Sequence, residues 1–231
     1  MIAIRKANDR FHTEIAWLDS WHTFSFGDHF DRNFMSFRSL RVINDDIIGA
    51  GQGFGMHPHR DMEIVTYMLD GELAHRDSMG NGATIRPGVI QRMSAGRGLM
   101  HAEANASQTE SCRLLQIWIM PESQALEPTY EDRAFPDLDS GNLVLICSHE
   151  GRDGSMKINQ DASMYACRLP SGQAQTLEIS EGRFAWVQVA DGEIALNGES
   201  IARGDGAAVS FETVLTFEAG TDSEFLVFDL A

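Results

Sequence analysis

Cysteine is scarce in this chain of 231 residues: Cys112, Cys147 and Cys167 are odd in number and never fall in a C-x-x-C pair. That usage argues against a disulfide framework and against a cysteine-built zinc site. Cations are scarce as well, with 18 Lys and Arg against 34 Asp and Glu, a net charge of −16. So acidic a surface repels phosphate, and no run of Lys or Arg offers the basic patch that direct nucleic-acid binding or an anionic membrane surface requires. No apolar run approaches the length of a membrane span. The opening MIAIRKANDRFHTE has no long apolar stretch of the secretory kind. Together these absences predict a reducing, cytoplasmic location. Apolar residues still make up 43% of the chain, enough for a packed core.

Helical periodicity is also missing beyond about two turns. Short β-like segments separated by glycine turns take its place. The β-branched and aromatic run EIVTYML (63–69) is followed by D-G at 70–71 and then ELAHRD. Strand, D-G, strand predicts a hairpin. Further strands are expected at 39–45, 113–120, 143–148, 163–169, 176–180, 184–190, 193–197, 207–211, 214–219 and 224–230. Strands this short and this regular predict an all-β sandwich or barrel.

The pattern occurs twice. VTYMLDGELAHRDSMGNGATIRPGVIQRMSAG matches AWVQVADGEIALNGESIARGDGAAVSF in outline: an apolar strand, D-G-E, a second strand, a glycine turn and a third strand. Two copies predict two related barrels in tandem. The stretch MPESQALEPTYEDRAFPDLDSGN (120–142) is rich in Pro, Glu, Asp and Ser and reads as the linker. The expected organisation is a domain at 1–122, a linker at 123–142 and a domain at 143–231. Aligned on Gly71 and Gly192, the copies place Glu178 and Ser180 opposite His57 and His59, and Phe184 opposite Glu63. Whatever the first copy binds, the second is expected to have lost.

Two clusters carry the chemistry. GFGMHPHRDMEIV (53–65) holds His57 and His59, with Glu63 four residues on; MSAGRGLMHAEAN (93–105) holds His101 and Glu103. Residues i and i+2 of a strand share a face, so each pair projects together. If both strands line one barrel interior, three imidazoles and a carboxylate converge there, a set suited to a divalent transition ion. Pro58 lacks an amide proton and belongs at a strand start or edge. Glu63 shares parity with the two histidines and is open to three roles: ligand, acceptor for a histidine N–H, or surface residue. His12, His22, His29, His75 and His149 stand alone and read as structural or exposed. AGRG at 95–98 reads as a tight turn before His101, since it lacks the lysine and the strand–loop–helix setting of a phosphate loop.

Gly51 to Glu63 resembles the first motif of the cupin superfamily: a glycine, five residues, H-x-H, then a glutamate. The segments at 17–31, 39–46, 53–82, 85–105 and 114–121 resemble the pirin family more closely, and within it the bacterial pirin-like quercetin 2,3-dioxygenases. Residues 85–88, with Pro87-Gly88 where P-x-G is usual, depart from the general cupin form but not from the pirin one. The C-terminal half resembles the family only in a degenerate barrel. The resemblance implies an all-β bicupin, two tandem jelly-roll-like β-barrels, with metal in the N-terminal barrel only. It implies His57, His59, His101 and Glu103 as ligands, in preference to Glu63. Glu103 is also the expected proton acceptor when it loosens from the metal.

The ion implied is iron(II) first, with zinc, manganese, cobalt, nickel or copper also compatible. The activity implied is cleavage of a flavonol such as quercetin with O₂, giving a depside and carbon monoxide. An alternative from another class is an iron-binding, redox-responsive regulator that meets a protein partner, for which the acidic surface is suited.

Overall fold

The computed structural model describes residues 1–231. Apart from four short 3₁₀ turns, every regular element is a strand, and no helix is long and apolar enough to cross a membrane. The chain divides into two compact units. One comprises Phe11–Phe135 with Ile158–Gln160; the other comprises Met1–Arg10, Pro136–Lys157 and Asp161–Ala231. They are called the N-terminal and C-terminal units below.

The first strand, β1 (Ile2–Arg5), belongs to the C-terminal unit. The N-terminal unit then begins with β2 (Phe11–Ile15), β3 (Leu18–His22), β4 (Leu40–Ile48), β5 (Gly53–His59) and β6 (Glu63–Asp70). It continues with β7 (Leu73–Asp77), β8 (Gly82–Ile85), β9 (Val89–Ser94), β10 (Leu99–Asn105), β11 (Cys112–Ile119) and β12 (Thr129–Ala134). Its strands form a seven-stranded sheet, β12-β9-β6-β11-β4-β3-β2, and a four-stranded sheet, β5-β10-β7-β8. The C-terminal unit follows with β13 (Val144–Ser148), β14 (Met156–Lys157), β15 (Ala162–Leu169), β16 (Ala174–Glu178) and β17 (Phe184–Asp191). Its last strands are β18 (Glu193–Leu196), β19 (Glu199–Ala202), β20 (Gly206–Ser210), β21 (Val214–Ala219) and β22 (Ser223–Leu230). The same arrangement recurs there, as β1-β20-β17-β22-β15-β13-β14 and β16-β21-β18-β19.

In each unit the two sheets share a core. Met68 and Leu114 of the larger N-terminal sheet pack with Leu73 and Ile85 of the smaller one. Val187 and Val227 pack likewise with Ile194, Leu215 and Phe217 in the C-terminal unit. The alternating pattern read in the sequence supplies these inward residues.

Three expectations need correction. First, D-G at 70–71 does not close a hairpin. β6 pairs with β9 and β11, and β7 pairs with β8 and β10, so both edges of each strand are already taken. The turn is instead a corner that carries the chain from one sheet to the other. Gly71 sits at φ +72°, and an added Cβ would lie 2.7 Å from Cβ of Cys112; Gly192 makes the same corner in the second unit at φ +76°. A positive-φ turn suits either outcome, and local chemistry cannot choose between them.

Second, residues 123–142 are not all linker: β12 pairs with β9 from Thr129 opposite Ser94 to Ala134 opposite Val89. Its charged residues suit the edge strand that it is. Third, residues 1–10 do not belong with 11–122. β1 pairs with β20, from Ile2 opposite Val209 to Arg5 opposite Gly206. Asp205 fixes the segment that follows, accepting from Lys6 Nζ (2.8 Å) and from the Ala7 amide (2.7 Å).

Candidate metal centre

β5 and β10 run antiparallel, with His101 opposite His57 and Leu99 opposite His59. Alternation turns His57, His59 and His101 inward and leaves Met56, Pro58 and Met100 exposed. The three imidazole centroids lie 4.9 Å (His57–His59), 4.4 Å (His57–His101) and 4.8 Å (His59–His101) apart. Their ligating nitrogens lie within 4.8 Å of one another. His57 Nδ1–H donates to the Gly55 carbonyl at 2.8 Å, which leaves Nε2 with its lone pair free.

Burial keeps the His59 and His101 rings neutral. It lowers the His59 pKa to about 4, with His57 adding to the effect. It lowers that of His101 to about 2, with His57, His59 and His75 adding to it. Neutral imidazole is the form that binds a metal. Both ring nitrogens of His101 are buried without a hydrogen-bond partner. Buried polar atoms are nearly always paired, and an orphaned imidazole facing two others fits a bound cation.

Glu103 is the next inward residue of β10. The ladder shifts register between His101 and Glu103, so Glu103 lies opposite Phe54 on β5 and His75 on β7. Its carboxylate accepts from Gln116 Nε2 (2.8 Å) and from Thr66 Oγ1 (3.3 Å), both on the facing sheet. Burial raises its pKa to about 7 against the opposing effect of those two bonds. Ligand atoms within 4.8 Å of one another make up two overlapping triads, His57–His59–His101 and His75–His101–Glu103, which share His101.

His75 was expected to stand alone and does not. It is buried, with Nδ1 3.3 Å from Gln91 Nε2 and its ring stacked on Tyr130 at 5.0 Å. Burial lowers its pKa, opposed by Asp77. Only the pairing of β7 with β10 brings it beside Glu103, and nothing local in ELAHRD signals that pairing. Glu63 lies in neither triad. It accepts from Ser94 Oγ (2.7 Å) and Asn159 Nδ2 (3.1 Å). The parity argument fails for Glu63 because residues 60–62 turn the corner into the other sheet, with Asp61 at φ 47°.

A cavity of about 870 Å³ opens from His57, His59 and Glu103. Trp118 packs edge-on against His59 (4.9 Å, 85°), and Phe26 packs edge-on against Trp118 (5.4 Å, 75°). Trp17 and Phe54 meet edge to face at 5.2 Å. Polar residues also line the cavity, among them Ser20, His22, Asn44 and Asp46. His12, His22 and His29, read as isolated in the sequence, all line this cavity. Thr13 Oγ1 lies 3.0 Å from Nε2 of both His22 and His29. An aromatic enclosure beside a three-histidine cluster and a buried carboxyl can hold a flat ligand, orient it and keep bulk water away.

The pirin family model matches residues 4–119, and a model described as the quercetinase C-terminal cupin domain matches residues 145–230. The quercetin 2,3-dioxygenase of Escherichia coli strain K12 is 49% identical over 230 residues, covering 100% of this chain and 99% of that protein. The crystal structure of the bacterial pirin YhhW from Escherichia coli in complex with nickel(II) superposes with a TM-score of 0.95. It is 48% identical and covers 100% of this chain and 99% of that one. A quercetin 2,3-dioxygenase structure from Acinetobacter baumannii is 25% identical, with a TM-score of 0.80, covering 98% of this chain and 85% of that one.

Proposed function

The chain belongs to the pirin family, and from that premise we propose that it is a metal-dependent quercetin 2,3-dioxygenase whose N-terminal unit holds the reacting centre. The observation that carries the proposal is the histidine triad, with both His101 nitrogens unpartnered and with His57 and His59 lining an aromatic-walled cavity. His57, His59, His101 and Glu103 would hold the ion, with iron(II) the first choice among divalent transition metals. When bound, such an ion supplies Lewis acidity that depresses the pKa of a hydroxyl it holds. Each unit is a jelly-roll barrel of the cupin kind, a reading supported by two sheets facing one another over a common core.

The chain's own residues do the rest. Trp118 and Phe26 on one side and Phe54 and Trp17 on another bind the flat rings of a flavonol and exclude water. Glu103 is the proton acceptor. Its carboxylate takes the flavonol 3-hydroxyl proton when it loosens from the ion. Gln116 and Thr66 aim that carboxylate and oppose the effect of its burial. O₂ is the co-substrate, and the products are a depside and carbon monoxide.

The test is replacement of His59 or Glu103 by Ala, with quercetin consumption and metal content measured on the same preparations. Loss of both is expected for His59→Ala. Wild-type turnover by a metal-free variant would overturn the proposal.

A further inference from the structure

One polar group lining the cavity has no role in the chemistry described above. Its residues are the inward positions of β3 and β4: Ser20 and His22 on one strand, Asn44 and Asp46 on the other. Ser20 stands opposite Asp46, and His22 opposite Asn44. All four are buried. Burying polar groups against an apolar core costs stability unless each finds a partner, and each of these four has found at least one.

His22 Nδ1 lies 2.8 Å from Asn44 Oδ1, which can only accept, so Nδ1 carries the proton. His22 Nε2 then accepts from the Thr13 hydroxyl, whose oxygen in turn accepts from His29 Nε2–H. Ser20 spends its hydroxyl proton on Oδ1 of Asp46. Oδ2 of Asp46 remains for a donor arriving in the cavity. Asp46 differs in this from Asp45, the next residue, which points the other way and is held by both Nε and Nη2 of Arg113 (2.9 and 3.0 Å). Burial raises the Asp46 pKa to about 7, with the Ser20 bond opposing it; such a carboxyl gains from a hydroxyl that donates to it.

Register fixes where this acceptor lies. Gln116, which donates to Glu103, is opposite Asn44. Asp46 is therefore one strand away, about 4.8 Å, and two residues along, about 7 Å, from the amide that holds Glu103. At that separation from the groups around Glu103, Asp46 can meet a hydroxyl carried on another ring of a molecule whose first ring lies at Glu103.

We infer that Asp46, set by Ser20, is a specificity-determining residue: it receives a hydroxyl on the pendant phenyl ring of a flavonol, so that the favoured substrates are those hydroxylated there. This rests on the dioxygenase reading. A site built to bond a hydroxyl discriminates against the analogue that lacks it, because its buried acceptor is then left unpaired.

The experiment compares kcat/KM for two flavonols on the metal-loaded full chain, one with two hydroxyls on the pendant ring and one with none. The ratio is taken within each preparation, so partial misfolding of a variant cancels. The wild type is expected to favour the dihydroxy substrate by roughly 10- to 100-fold. Asp46→Leu should bring the ratio to about one or below it, through loss on the dihydroxy substrate alone, and Ser20→Ala should reduce it partway. A wild-type ratio near one, or a ratio that Asp46→Leu leaves unchanged, would overturn the inference. Should the wild type turn over neither flavonol, the dioxygenase reading falls by itself. The same ratio is then read from equilibrium binding, where a preference erased by Asp46→Leu supports the subsite and its absence refutes it.

Discussion

Strands β5 and β10 of the N-terminal unit and β16 and β21 of the C-terminal unit hold the same places in the same sheet order. Their inward positions differ. The first pair turns in His57, His59, His101 and Glu103; the second turns in Leu177, Leu215 and Phe217, which join a continuous apolar core. The cross-strand row on the facing sheet differs as well. In the N-terminal unit it runs from His22 through Asn44, Gln116 and Thr66 to Gln91, and its members reach Glu103 and His75. One framework thus supports two interiors. One is packed for stability; the other gives up apolar packing for a polar cavity, and an unpaired imidazole there costs stability until a cation pairs it.

The comparison can be broken most forcefully on the apolar side. Phe217 is fully buried and stacks on Phe225 at 4.9 Å. Phe217→Ala should cost about 3–5 kcal/mol in urea unfolding, while metal bound per folded chain stays unchanged. The converse change gives the N-terminal interior a side chain of the C-terminal kind. His101→Leu should lower flavonol turnover by more than about a hundredfold, beyond the 10- to 100-fold typical of outer partners of a metal site. It should leave the metal-free protein as stable as the wild type or more so, since an apolar side chain replaces two unpaired buried nitrogens. A large stability loss with full activity would invert the assignment of the two interiors.

His75 sharpens the boundary of the site. If it supports His101 and Glu103 from behind, His75→Phe should weaken metal binding about 10- to 100-fold in a chelator competition, with the fold intact by circular dichroism. The smallest effect concerns pH. The two carboxyls whose burial raises their pKa to about 7, Asp46 and Glu103, both lie in the N-terminal unit. A carboxyl with a folded pKa near 7 and an unfolded value near 3.8 holds its proton longer when folded. Its contribution to stability is therefore full below about pH 4 and is lost as pH rises through 7. The buried histidines, whose pKa values are lowered, act in the opposite direction, but they are common to wild type and variant. Between pH 5.5 and 8 the urea midpoint of the metal-free wild type should therefore fall relative to that of Asp46→Asn.

Much of this was legible in the sequence where the signal is local. Alternation marked the strands, the D-G-E repeat marked the two copies, and H-x-H and H-x-E marked the residues of the histidine triad and Glu103. What escaped depends on pairings between distant segments. D-G looks the same at a hairpin and at a corner between sheets. β12 reads as linker because an exposed edge strand carries charges, and β1 pairs with a strand some 200 residues later. His75 becomes part of the site only through its place opposite Glu103, and Asp46 lines the cavity only because Asp45 takes the other face of β4. Glu63 was misleading for the same reason: parity with His59 does not survive the turn at Asp61.

The most direct test is a titration of metal-stripped protein, purified without a histidine tag, with iron(II) under anaerobic conditions, followed by quercetin and O₂. Turnover should rise in proportion to bound iron, level off at a single ion per chain, and vanish in His101→Leu. Turnover in the stripped protein, or retained by His101→Leu without bound metal, would contradict the account.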